Sequence, residues 1–249
     1  MFVQTLDALL SAVSFGPGPA TVFALNGWSA AWQAWAPTFE LLSTDVRCVS
    51  YDTRGTGGST GNVGGVSLDA LVDDAIRVLD AYGIEQCVIA GESLGGFVAQ
   101  HVVLRHPDRF TGLALVASAP FVTADVVGSL VEGARSDYPA TLERFVDQCL
   151  SESEAANLHH WGTTLFATAD PLVAARLFEA CYDSVPDISA ISIPTVVLHG
   201  DDDHVVPFAA GEYLAAAIPG AQWIPLAGAG HAPTVTRPDE VATAIRGLT

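Results

Sequence analysis

Three stretches of this 249-residue chain carry side chains that could act together on a substrate. The first is Gly91-Glu92-Ser93-Leu94-Gly95-Gly96, a serine with a glycine two residues away on either side. The second is Gly200-Asp201-Asp202-Asp203-His204-Val205-Val206-Pro207, and the third is Ala227-Gly228-Ala229-Gly230-His231-Ala232-Pro233. A serine hydroxyl is a weak nucleophile until a histidine takes its proton and a carboxylate orients that histidine. Ser93, an aspartate from the second stretch and His231 supply those three parts. The reaction open to them is attack on a carbonyl carbon to give an acyl-serine. At this level the acid is any one of Asp201, Asp202 and Asp203.

Such residues need rigid elements to aim them. The apolar run Cys87-Val88-Ile89-Ala90 before Ser93 reads as a strand, and Phe97 to Leu104 after it reads as a helix. A serine at so sharp a turn is held in a strained backbone that lifts its hydroxyl off the sheet. The helix start then turns its free N–H groups, Leu94 foremost, toward the place where an oxyanion would form. Pro194 to His199 is continuous in apolar and β-branched residues, as a buried parallel strand should be, and it delivers the aspartates. Ala221 to Leu226 reads as a last strand, delivering His231.

The order serine, acid, histidine, on these elements, resembles the α/β-hydrolases. Three further segments are similar to that family: Leu25-Asn26-Gly27-Trp28, Tyr51-Asp52-Thr53-Arg54-Gly55-Thr56-Gly57-Gly58-Ser59, and His106-Pro107-Asp108-Arg109. The matching segments run from about Val22 to Ala119 and from about Ile193 to Ile245. The resemblance implies an α/β fold with a mostly parallel central sheet flanked by helices. It selects Asp203 as the acid, because the family's acid follows a glycine by three residues and precedes a proline by four. Asp201 and Asp202 then read as turn carboxylates, and His199 and His106 as structural.

The family's second oxyanion donor comes from a loop that usually begins His-Gly. Here Asn26 stands in place of the histidine, and the resemblance assigns the donor role to the N–H of Trp28 beside that of Leu94. Trp28, Trp32 and Trp35 read equally as walls of an apolar pocket or, for the last two, as one face of a buried helix. Glu92 either points inward and raises the pKa of His231 or faces away and hydrogen-bonds behind the sheet; the second is the expectation.

Between the two matching regions, roughly residues 121–187 lack strand alternation and show helical periodicity, with Leu142, Phe145, Val146 and Cys149 on one face and Leu172, Ala175, Arg176 and Phe178 on another. This resembles the helical cap that α/β-hydrolases insert after the sixth strand. The implied division is a core of 1–120 and 188–249 with a cap of 121–187. Phe121, Trp161, Leu165 and Phe166 suit an apolar pocket beneath it.

Composition bounds the rest. The net charge of −18 repels nucleic acid and anionic membrane surfaces, and disfavours an acidic carrier protein as partner. All ten basic residues are arginine, so a lysine Schiff base such as pyridoxal phosphate requires is excluded, and no cofactor is expected. Cys48, Cys87, Cys149 and Cys181 lack metal or redox spacing. No apolar run is long enough to span a membrane, and the first residues lack the positive start of a secretory signal, so a cytoplasmic protein is expected. The number of subunits is left open. Two groups share local features: the pimeloyl-carrier-protein methyl ester esterases, in Gly27-Trp28 and His231-Ala232-Pro233, and the 3-oxoadipate enol-lactonases, in Tyr51 to Gly55. The expectation is a serine hydrolase of a small-molecule ester or lactone. Lyases, carbon–carbon bond-cleaving enzymes and ligand receptors on the same fold are the alternatives. A serine in place of aspartate disfavours dehalogenase and epoxide hydrolase chemistry.

Overall fold

The strand that carries Ser93 lies at the middle of an eight-stranded sheet, and the rest of the chain is arranged around it. The computed structural model describes the backbone of residues 1–249 and all side chains except those of residues 125, 126, 154 and 156. The strands are β1 (Phe2–Gln4), β2 (Leu9–Phe15), β3 (Thr21–Leu25), β4 (Arg47–Tyr51), β5 (Cys87–Glu92), β6 (Phe110–Val116), β7 (Thr195–Gly200) and β8 (Gln222–Leu226). Their order is β1-β2-β4-β3-β5-β6-β7-β8. The first two pair antiparallel, β2 meets β4 antiparallel, and all others run parallel.

The helices are α1 (Ala36–Leu42), α2 (Leu68–Ala81), α3 (Leu94–Arg105), α4 (Ala124–Ser136), α5 (Tyr138–Cys149), α6 (His159–Phe166), α7 (Pro171–Tyr182), α8 (Phe208–Ala217), α9 (Pro233–Thr236) and α10 (Pro238–Arg246). Strand residues alternate between two cores, because successive side chains leave a strand on opposite faces. Val88 and Ala90 of β5 join Phe39 and Leu42 of α1 and Val241 and Ile245 of α10 on one face. Cys87 and Ile89 join α2 and α3 on the other. Helix α2 shows the local logic: Leu68, Leu71, Val72, Ala75, Val78 and Leu79 make a buried stripe at helical spacing, and the Ser67 hydroxyl caps its start by accepting from the Ala70 N–H.

Between β6 and β7 the described residues make four α-helices, α4 to α7, and no strand. Asp137 and Asp170 cap α5 and α7, each with a proline in the first turn. Leu142, Phe145, Val146 and Cys149 of α5 are all buried, as their spacing predicts. In α7 the expected face is partly displaced. Ala175 and Phe178 are buried as expected, but Leu172 is exposed and Arg176 half-buried, and Val173, Ala174, Leu177 and Cys181 complete the buried stripe.

The segment Tyr51 to Ser59 is held by buried charge. Arg54 pairs with Asp74 at 2.8 Å and Asp7 at 2.9 Å, while Asp52 accepts from the N–H groups of Trp32 and Gly58, both at 2.8 Å. Those bonds fix the loop after β4 against the loop after β3. Among the described residues, no helix is long and apolar enough to cross a membrane.

Candidate active site

Ser93 sits in the turn between β5 and α3 with φ 52° and ψ −122°, a conformation that crowds Cβ against the backbone. Its neighbours hold it there. Its N–H donates to the Val116 carbonyl at 2.9 Å, and its own carbonyl accepts from the Gly96 N–H at 3.0 Å and the Ser118 hydroxyl at 2.8 Å. The flanking glycines are required by close approach. A Cβ on Gly91 would lie 2.5 Å from the Gly95 carbonyl oxygen, and one on Gly95 would overlap the carbonyls of Leu25 and Asn26. Leu94 opens α3, so no carbonyl four residues back in the helix takes its N–H.

His231 and Asp203 reach Ser93 from the loops after β8 and β7. The Nε2 of His231 lies 2.9 Å from Ser93 Oγ, and its Nδ1 lies 2.8 Å from Asp203 Oδ2. An ionised carboxylate only accepts, so Nδ1 carries the proton and Nε2 presents its lone pair to the serine hydroxyl. Asp203 is fully enclosed and takes four donors: the N–H groups of Val205 and Val206, both at 2.8 Å on Oδ1, and His231 with His199 Nε2 at 3.1 Å on Oδ2. Burial works to raise its pKa, yet the pull of His231 and the hydrogen bonds from both histidines hold it below the ordinary carboxylate range. For His231, burial works to lower the pKa, and the charge and hydrogen bond of Asp203, with the charge of Glu92, raise it overall. Asp201 and Asp202 are exposed loop residues that bond to Gly228 N–H and His204.

His199 is a site residue that the sequence reading assigned only to structure. Its Nε2 faces two acceptors, Asp203 Oδ2 and the Val206 carbonyl at 3.0 Å, and so carries the proton that steadies the acid. The available signal was its position, four residues before Asp203 at the end of a buried strand.

The loop after β3 lies against Ser93: a Cβ on Gly27 would sit 3.5 Å from Ser93 Cβ. Asn26 supplies the anchoring its position needs, donating from Nδ2 to the Tyr51 carbonyl at 2.6 Å and accepting from the Ser50 hydroxyl at 3.4 Å. Trp28 is buried, packs against Phe145 and Phe178, and donates its indole N–H to the Ala174 carbonyl of α7 at 2.7 Å. Trp32 packs on Phe15, and Trp35 stacks on Phe39 beneath the sheet. Of the three tryptophans, Trp28 alone lines the cavity at Ser93.

Glu92 hydrogen-bonds as expected, its Oε1 accepting from the buried Thr234 hydroxyl at 2.6 Å. It is also among the residues that border the cavity at Ser93 and His231, and its charge acts to raise His231. Burial pushes Glu92 up to about 7, against the opposing Thr234 hydrogen bond and His231.

Two cavities meet at Ser93. The larger, about 570 Å³, runs beneath α5 and α6, walled by Trp28, Phe145, Val146, Trp161, Leu165 and Phe166. The smaller, about 450 Å³, is walled by Phe97, Phe121, Val122, Phe178, Val205 and Pro207. The roof is tied to the loops below at Trp28 and again where the His231 N–H donates to the Cys149 carbonyl at 3.0 Å. The arginines of this region are engaged away from the cavities: Arg135 with Glu179 at 2.6 Å, Arg176 with the Val66 carbonyl at 3.2 Å, Arg144 with Thr141 at 3.1 Å. Cys149 lines the larger cavity, its thiol pushed well up by burial; all four cysteines are buried and free. Among the described residues, no three His, Cys, Asp or Glu side chains gather as a metal set.

The sequence profile of the alpha/beta hydrolase fold family matches residues 20–238. A pimeloyl-[acyl-carrier protein] methyl ester esterase of Aeromonas hydrophila is 30% identical over 93% of this chain and 95% of its own. The enzyme of that name from Edwardsiella ictaluri is 28% identical over 92% and 93%. Among solved structures, the enol-lactonase from Burkholderia xenovorans superposes with a TM-score of 0.92 at 24% identity, covering 100% of this chain and 99% of that one.

Proposed function

From the premise that the chain belongs to the α/β hydrolase fold family, whose relatives here carry hydrolase names, we propose a serine hydrolase that cleaves a small-molecule carboxylic ester or lactone through an acyl-enzyme. The observation that carries this reading is the run of contacts Ser93 Oγ, His231 Nε2, His231 Nδ1, Asp203 Oδ2, at 2.9 and 2.8 Å. In this reading Ser93 Oγ attacks the carbonyl carbon as its proton passes to His231 Nε2. Asp203 keeps the imidazole in the Nδ1–H tautomer and stabilises the imidazolium. The N–H groups of Leu94 and Trp28 receive the oxyanion, a contribution of roughly 3 kcal/mol for each donor. Collapse expels the alcohol, which takes the proton from Nε2. A water then gives its proton to His231, attacks the acyl carbonyl, and frees the acid and Ser93.

The division into a core of residues 1–120 and 188–249 and a cap of 121–187 belongs to the same reading. Its support is that α5 and α6 wall the larger cavity at Ser93. By excluding water the cap strengthens the electrostatics beneath it. The test is a burst assay with p-nitrophenyl esters of graded chain length on the wild type and Ser93→Ala. The expected result is a burst of one equivalent in the wild type, a chain-length optimum, and loss of at least about 10⁴-fold in the variant. Equal turnover by both proteins refutes the assignment.

A further inference from the structure

Both openings at Ser93 are mainly apolar, and among the described residues no arginine lines either of them. The walls of the larger cavity are aromatic and aliphatic except for Glu92, Ser93, Cys149 and His231. Those of the smaller are apolar except for Ser93 and Thr123. The arginines that could have met a substrate carboxylate are engaged elsewhere: Arg135 and Arg176 converge on Glu179, and Arg144 turns to Thr141. The carboxyl groups nearest Ser93 are those of Glu92, bonded to the Thr234 hydroxyl, and Asp203, behind His231. A substrate carboxylate would therefore leave water for an apolar wall, with no arginine to meet it and two carboxyl groups nearby, and a buried unpaired charge is strongly disfavoured. A neutral alkyl or aryl group entering either cavity meets only favourable burial.

Resting on the ester-hydrolase reading above, we propose that the physiological substrate is an uncharged ester with apolar groups on both the acyl and the alcohol side, one in each cavity. Esters that carry a free carboxylate on either side are rejected. The chain's net charge of −18 acts in the same direction on anionic substrates and on acidic carriers at longer range.

Near-isosteric esters test this at pH 8. Butyl hexanoate and ethyl hexanoate are neutral; monoethyl adipate places a carboxylate at the acyl end, and carboxymethyl hexanoate places one on the alcohol side. The expected result is that kcat/KM for each charged ester falls at least 30-fold below that of its neutral counterpart, ethyl hexanoate for the first and butyl hexanoate for the second. A smaller discrimination on either side overturns the proposal. A fluorophosphonate that labels activated serines separates the two levels of inference. If no ester is cleaved but Ser93 is labelled and Ser93→Ala is not, the hydrolase reading stands and the neutral-substrate assignment falls. If Ser93 resists the label as well, both fall.

Discussion

Glu92→Gln isolates the effect of a carboxyl buried beside the nucleophile. Burial raises Glu92 from 4.5 to about 7, with the nearby Asp203 charge adding to the rise. In the unfolded chain this group ionises above about 4.5, whereas the folded protein holds its proton until about 7. Between those values the unfolded state has released a proton that the folded state keeps, so rising pH drains stability from the folded form. At about 1.4 kcal/mol per pH unit over that interval, the loss approaches ~3 kcal/mol by pH 8. Glutamine retains an oxygen for the Thr234 hydroxyl and does not titrate. The variant is therefore expected to match the wild type near pH 4.5 and to exceed it by as much as ~3 kcal/mol at pH 8, a rise in Tm of roughly 6–12 °C for a chain of this size. Urea unfolding of both proteins from pH 4.5 to 8.5 reads the difference directly. The same substitution removes a negative charge that raises His231, so the acid limb of the kcat/KM profile moves to lower pH. A stability difference that is constant across pH, or an acid limb that moves upward, refutes the argument.

Two other substitutions separate geometry from charge. Asp203→Asn removes the acceptor that fixes the His231 tautomer, and kcat is expected to fall about 10⁴-fold while a fluorescent product analogue still binds; a loss under tenfold would assign the acid elsewhere. Trp28→Phe deletes the indole bond to Ala174 at 2.7 Å. It is expected to cost about 1 kcal/mol in denaturant unfolding and to lower kcat more than it raises KM, since the loop that carries Trp28 lies against Ser93 at Gly27; unchanged kcat would detach the indole bond from the loop's geometry.

The elements that aim the site were legible because their patterns allow few alternatives. Continuous apolar runs ending in glycine become β5 and β7, buried on both faces, and the glycines around Ser93 stand where any side chain would overlap backbone. Asp203 could be separated from Asp201 and Asp202 only by family spacing, since all three occupy one loop; the structure encloses the third and leaves the other two in solvent. What periodicity could not supply was direction. In β5 every residue is buried, so alternation says nothing about where Glu92 points once the strand ends. In α7 the buried surface keeps Ala175 and Phe178 of the predicted face but takes in Val173, Ala174 and Leu177 in place of Leu172, a choice made by packing against the core. His199 escaped notice because its role depends on a return of the chain through Val206 that only the folded loop creates.

The two bonds that join α5 and α7 to the loops beneath them couple those helices to the site. The amide of His231 is held by the last turn of α5, and the indole of Trp28 by α7. Any outward swing of both helices breaks those bonds together, loosening the proton acceptor and the loop opposite it in one event. The cover over Ser93 and the loops that border it are therefore one mechanical unit: a change of packing in α5 or α7 is passed directly to the backbone of His231 and to the side chain of Trp28.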